Sequence, residues 1–229
     1  MRIHRCVFVL GTAVLALLGT GPLQAAVPSL LTDIGEPGVD TGTEGSVEGR
    51  FLSLGKVALF AAEEPSSGRE VWVSDGTEAG TGPLLDACPG PCSSTVDLLG
   101  AVDGAGVFLL RRELADSELW RSDGTRPGTR LLARSRTGGP ERCQSTEVAA
   151  AAVAGPRVFF SGRSHGEEGC GLWTTDGTEA GTRRLREITL SFVDPRLHEM
   201  TPLGSQVFFS AVDAEGAGLW RSDGTPEGT

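Results

Sequence analysis

The chain contains no tyrosine, a single lysine and only three histidines among its 229 residues. The missing tyrosine excludes a tyrosine nucleophile of the sialidase type. His4 lies in the leader described below, and neither His165 nor His198 stands in a zinc-protease or nucleophile-elbow pattern. Basic charge is also scarce: 20 Lys and Arg face 30 Asp and Glu, for a formal net charge of −10. A chain this acidic repels phosphate backbones, which argues against a nucleic-acid partner, and it has some attraction for cations. All basic residues but Lys56 are arginine, a skew that points to a GC-rich coding sequence rather than a chemical need.

Long apolar runs are missing with one exception, residues 7–18, and at about 12 residues it is short of the roughly 20 that span a membrane. Arg2 and Arg5 precede it, and small residues with a proline follow as far as Gln24-Ala25-Ala26. That is the layout of a secretory signal peptide cut after Ala25 or Ala26, with an uncleaved anchor as the alternative. Residues 1–25 are therefore expected to be removed, leaving a secreted, periplasmic or cell-surface protein with no membrane span. Two arginines and no acids leave with them, so the mature charge becomes 18 − 30 = −12. No cysteine stands at the cut, so lipid attachment is not indicated.

Four cysteines remain: Cys88, Cys92, Cys143 and Cys170. An even number in an exported chain suggests two disulfides, for which three pairings exist. The closeness of Cys88 to Cys92 within Cys-Pro-Gly-Pro-Cys favours a local bridge, leaving Cys143 for Cys170. Zinc is the competing reading, but Cys-x-x-x-Cys without nearby histidines is poor metal spacing.

What the chain has in excess is glycine, 33 residues of 229 and about twice the usual share. Evenly scattered glycine implies many turns, and many turns imply many short strands. The reason is a repeat. Residues 71–81 (VWVSDGTEAGT), 119–129 (LWRSDGTRPGT), 172–182 (LWTTDGTEAGT) and 219–229 (LWRSDGTPEGT) align directly. Trp72, Trp120, Trp173 and Trp220 are the only four tryptophans, 48, 53 and 47 residues apart. An apolar strand precedes each signature, at residues 57–60, 107–110, 158–161 and 207–210, with a further short apolar piece before it and another after the signature.

One unit thus reads as four strands in about 50 residues, and such units in tandem form propeller blades more readily than a β-solenoid. The expected fold is all-β and β-propeller-like over residues 29–229. Its units cover about 50–94, 95–147, 148–195 and 196–229. Residues 29–34 resemble the strand missing from the fourth unit, so they could close a four-bladed ring; a fragment of a longer array is the other reading.

At these residues the chain resembles the bacterial ELWxxDGT repeat family. Residues 118–125 (ELWRSDGT) fit its motif throughout, while Val71, Gly171 and Gly218 depart from it in the other copies. The resemblance implies an exported bacterial repeat protein and adds little about activity.

Each signature residue has a structural role to fill. Asp75, Asp123, Asp176 and Asp223 can bond backbone N–H groups of their own turns, and Gly76, Gly124, Gly177 and Gly224 permit positive φ. The tryptophans can fill the gap between blades while the indole N–H finds a partner. Calcium at the aspartates is the functional alternative, but one carboxylate and some carbonyls per turn fall short of six to eight oxygens. No catalytic residue, metal site or cofactor is implied. The resulting expectation is a non-catalytic exported scaffold or binding module for a protein or glycan. The alternative is a hydrolase or lyase with its site in the central channel.

Overall fold

The computed structural model describes residues 47–112, 117–141, 150–166, 170–186, 200–213 and 216–229. The expected signal peptide, the closing strand 29–34, Cys143 and His198 lie outside the described residues.

Four antiparallel sheets follow one another along the chain. The first runs β1 (Val47–Ser53), β2 (Ala58–Glu64), β3 (Gly68–Ser74) and β4 (Gly82–Leu85). The second runs β5 (Ser94–Val102), β6 (Ala105–Arg112), β7 (Ser117–Ser122) and β8 (Arg130–Arg134). A 3-10 turn at Ser135–Thr137 and the two-residue β9 (Pro140–Glu141) lead to the third: β10 (Ala151–Ala154), β11 (Arg157–Ser164), β12 (Gly171–Thr175) and β13 (Arg183–Arg186). The fourth comprises β14 (Thr201–Leu203), β15 (Gln206–Asp213) and β16 (Gly216–Ser222). Neighbours in each sheet are sequential and antiparallel, so every unit is a meander; only β9 leaves this path, pairing with β11. The sequence pattern did not foreshadow β9. No helix among the described residues is long and apolar enough to cross a membrane.

The near-continuous apolar runs on the second strand of each unit follow from burial on both faces. Side chains alternate across a strand, so a sheet sandwiched between two others needs apolar residues at successive positions. On β6, Phe108 and Leu110 face the first sheet, where they pack with Leu59, Val71 and Leu84. Val107 and Leu109 face the other way and pack with Val158, Phe160 and Trp173 of the third sheet. The joint repeats once more, with Phe159, Leu172 and Leu185 against Val207, Phe209 and Ala211 of the fourth. The second and third sheets thus each meet the one before and the one after.

The result is an all-β, β-propeller-like stack of about 50-residue units. Among the described residues the sheets do not close into a ring.

Cys88 and Cys92 form a disulfide, with Cα atoms 5.5 Å apart. Its loop packs on the β2–β3 hairpin, where the Arg69 N–H donates to Ser93 Oγ at 3.2 Å. Cys170 is also disulfide-bonded, and its partner lies outside the described residues.

Candidate functional site

The repeated turns are the most regular polar feature of the molecule. In the second copy, Asp123 Oδ1 accepts the Thr125 N–H at 2.9 Å and the Thr125 hydroxyl at 2.7 Å. Thr125 Oγ1 in turn accepts the Gly128 N–H at 3.0 Å. A second chain of bonds lies beside it. The Gly124 N–H donates to Ser122 Oγ at 3.0 Å, and the Thr129 hydroxyl donates to the Thr125 carbonyl at 2.6 Å. Since Thr129 has given away its one hydroxyl proton, the 2.7 Å contact between Ser122 Oγ and Thr129 Oγ1 must have Ser122 as donor. The first, third and fourth copies repeat this arrangement around Asp75, Asp176 and Asp223.

Both glycines of the signature are sterically required. The first has φ of +88° to +91° at Gly76, Gly124 and Gly224 and +83° at Gly177, a region costly for side chains. The second, represented by Gly80, Gly128, Gly181 and Gly228, lies directly under the aspartate: any Cβ there would fall on the carboxylate. These four positions were not singled out from sequence, although their constant offset from the aspartate was a usable signal.

Hydrogen bonding sets the charge state of the turns. The Thr77, Thr125 and Thr225 hydroxyls, followed by the N–H groups of the same residues, hold Asp75, Asp123 and Asp223 below the usual aspartate range. At Asp176 burial is the largest influence and pushes upward, but the two Thr178 bonds together with the Arg157 charge outweigh it. A carboxylate held below its unfolded value contributes stability that is present above that value and lost as pH falls through the folded one. The urea midpoint is therefore expected to fall as pH drops below about 4. Replacement of Asp176 by Asn should flatten part of that slope, read by urea titration at a series of pH values.

The motif's glutamate is used differently in each copy that has it. Glu70 is fully buried and accepts the Ala87 and Cys88 N–H groups, each at 3.0 Å, tying the disulfide loop to β3. Burial, the largest influence, pushes its carboxyl up despite those bonds. Glu118 accepts the Trp120 indole N–H at 3.0 Å and pairs with Arg134 at 3.0 Å and Arg112 at 3.5 Å. Trp120 and Trp220 are partly exposed, whereas Trp72 and Trp173 are buried and their indole N–H groups have no acceptor among the described residues. The expectation that every indole would find a partner is corrected there. The apolar ring face outweighs the one unmade bond, which costs about 1–3 kcal/mol.

One polar cluster has no counterpart in the other described units. Glu141 on β9 binds Arg163 at 2.7 Å and His165 Nδ1 at 2.7 Å, both on the extended β11 hairpin. Burial is the largest influence on Glu141 and raises its pKa, but His165 and Arg163 together bring it below the usual range. His165 is half exposed, and its sequence neighbourhood matches no catalytic pattern.

No group of three or more His, Cys, Asp or Glu suited to a metal ion occurs among the described residues. Each signature turn offers a single carboxylate, whose Oδ1 is engaged by threonine.

No family model matches this chain, and no curated protein matches it. Solved structures do. A puromycin hydrolase S511A mutant complexed with PGG aligns over 78% of this chain and 27% of its own, at 17% identity and a TM-score of 0.52. TolB from Acinetobacter baumannii aligns over 76% and 40%, at 15% identity and a TM-score of 0.44. The tricorn protease aligns over 74% and 22%, at 10% identity and a TM-score of 0.26. The likeness is one of fold. The chain spans about a quarter of the length of the hydrolase it resembles.

Proposed function

We propose that the chain is an exported, non-catalytic propeller-like scaffold that presents its inter-repeat loops to a protein or glycan. The observation carrying this reading is how the shared residues are used. In all four copies the aspartate, both threonines and the preceding Ser or Thr bond one another within the turn. Aspartate Oδ1 and the threonine hydroxyls are thereby spent on shaping the turn's own backbone. Recognition then falls to features that differ between copies, since loops vary where a scaffold repeats. The disulfide loop at 86–93 and the Glu141–Arg163–His165 cluster are two such features.

The leader at residues 1–25 and the disulfides support export, because disulfides persist in oxidising compartments. The signature supports membership of the ELWxxDGT repeat family.

The test is to present purified protein to a glycan array and to a panel of ester, glycoside and peptide substrates. Saturable binding without turnover is expected. Turnover that a single Asp or Glu substitution abolishes would replace this reading with the hydrolase or lyase alternative.

A further inference from the structure

Glu70 and Glu118 occupy the same place in the first two units, two residues before the tryptophan and on the same face of β3 and β7. They are used in different ways. Glu118 accepts the Trp120 indole N–H at 3.0 Å. Glu70 instead accepts the N–H groups of Ala87 and Cys88, each at 3.0 Å, and the Ser94 hydroxyl at 3.3 Å. The Trp72 indole N–H is buried and has no acceptor among the described residues. One molecule thus displays two settings of the same glutamate.

What separates the two units is the loop that Glu70 holds. Ala87 leads into Cys88-Pro-Gly-Pro-Cys92, which the disulfide closes. Further along, the Arg69 N–H donates to Ser93 Oγ, and the Cys92 carbonyl lies so close to Gly68 that no Cβ fits there. Both cysteines are partly exposed and the Pro-Gly-Pro between them is exposed, so the bridge is within reach of an external thiol. In the second unit Arg112 and Arg134 also hold the carboxylate. The matching residues of the first unit are Glu64 and Asp86, so these two positions offer Glu70 no cation once the loop lets go.

We propose that the Cys88–Cys92 disulfide is a redox latch: its reduction releases the 86–93 loop from Glu70, whose carboxylate then takes the Trp72 indole N–H. The reductant is a dithiol. Its thiolate attacks one sulfur of the bridge and breaks the S–S bond, and its second thiol resolves the mixed disulfide. Two electrons and two protons pass to Cys88 and Cys92, which become thiols, and the dithiol becomes a disulfide. Without the cross-link the loop regains conformational freedom, and the N–H groups of residues 87 and 88 exchange the carboxylate for water. A buried carboxylate must keep a donor. The indole N–H two residues away is the one that the second unit shows within reach. The latch is a property of this loop and does not depend on what the loop binds.

The test reads the indole N–H signals in the proton–nitrogen NMR spectrum, with Trp72 assigned through Trp72→Phe. In the oxidised protein the Trp72 signal should lie upfield of Trp120. In Cys88→Ser with Cys92→Ser it should move downfield toward Trp120, while Trp173 in the third sheet, also without an acceptor among the described residues, stays in place. Amide exchange at residues 87 and 88 should quicken at least tenfold. Adding Glu70→Ala should cancel the Trp72 shift. Wild-type protein reduced with dithiothreitol should give the same spectrum, and this readout stands if the serine variant does not fold. The partly exposed bridge should reduce before that of Cys170, which is 3% exposed, as alkylation of each cysteine will show. A Trp72 signal unmoved by loss of the bridge, a shift that survives Glu70→Ala, or unchanged exchange at residues 87 and 88 would each overturn the proposal.

Discussion

Phe160→Ala should destabilise the protein by about 3–5 kcal/mol, the cost of emptying a large, fully packed aromatic site. Phe160 is 0% exposed and sits in the joint between the second and third sheets, touching the cluster built by Leu99, Val107, Leu109 and Leu119. A small sheet has two apolar faces and cannot cover either by itself, so the cavity would weaken two units at once. For a domain of this size that corresponds to a drop of roughly 6–20 °C in melting temperature. Leu219→Ala supplies the contrast. It removes a leucine from a repeat position that is buried in the other three units, yet at 79% exposure it should stay within about 0.5 kcal/mol of the parent. Calorimetry of the two variants reads both effects.

Gly124→Ala is expected to cost about 2–5 kcal/mol, from two sources that add. A φ of +91° is unfavourable for any L side chain by about 1–2 kcal/mol. The new methyl also falls 2.5 Å from Val57 Cγ2, in the β1–β2 connection of the preceding unit, and overpacking of this kind typically costs about 1–3 kcal/mol. Gly76→Ala carries the first cost without the second, since φ is +88° and the surrounding space is open. One residue type in one turn thus does two jobs in the interior of the stack and one job at its end.

Much of this was legible in the sequence. Four aligned signatures with four upstream apolar runs gave the unit length, the meander and the stacking, because each strand's alternation reports burial on one or both faces. Cys88 and Cys92 were legible through their spacing. The aspartate turns were legible because an Asx bond is local, between residues two apart. What escaped reading depends on contacts made at a distance. β9 is two residues long, and its Glu141 meets His165 across 24 positions of sequence. The unpartnered indoles of Trp72 and Trp173 were misjudged because the acceptor near Trp120 is a glutamate, Glu118, whose counterpart in the first copy is turned to the disulfide loop. In the third copy the counterpart is Gly171, which offers no acceptor. The second signature glycine escaped because its reason is a carboxylate folding back over it, visible only once the turn is built. The exposure of Leu219 could not be read at all, since its neighbours in the alignment are buried.

The central claim is that the signature is scaffold, shaping each turn and seating it on the sheet before. The most direct test is thermal unfolding of Gly124→Ala and Gly76→Ala side by side. Gly124→Ala should melt lower than Gly76→Ala by several degrees, at roughly 2–4 °C for each kcal/mol of added strain. Equal losses in the two variants, or the larger loss at Gly76, would contradict the account, because the joint with the preceding sheet would then contribute nothing at Gly124.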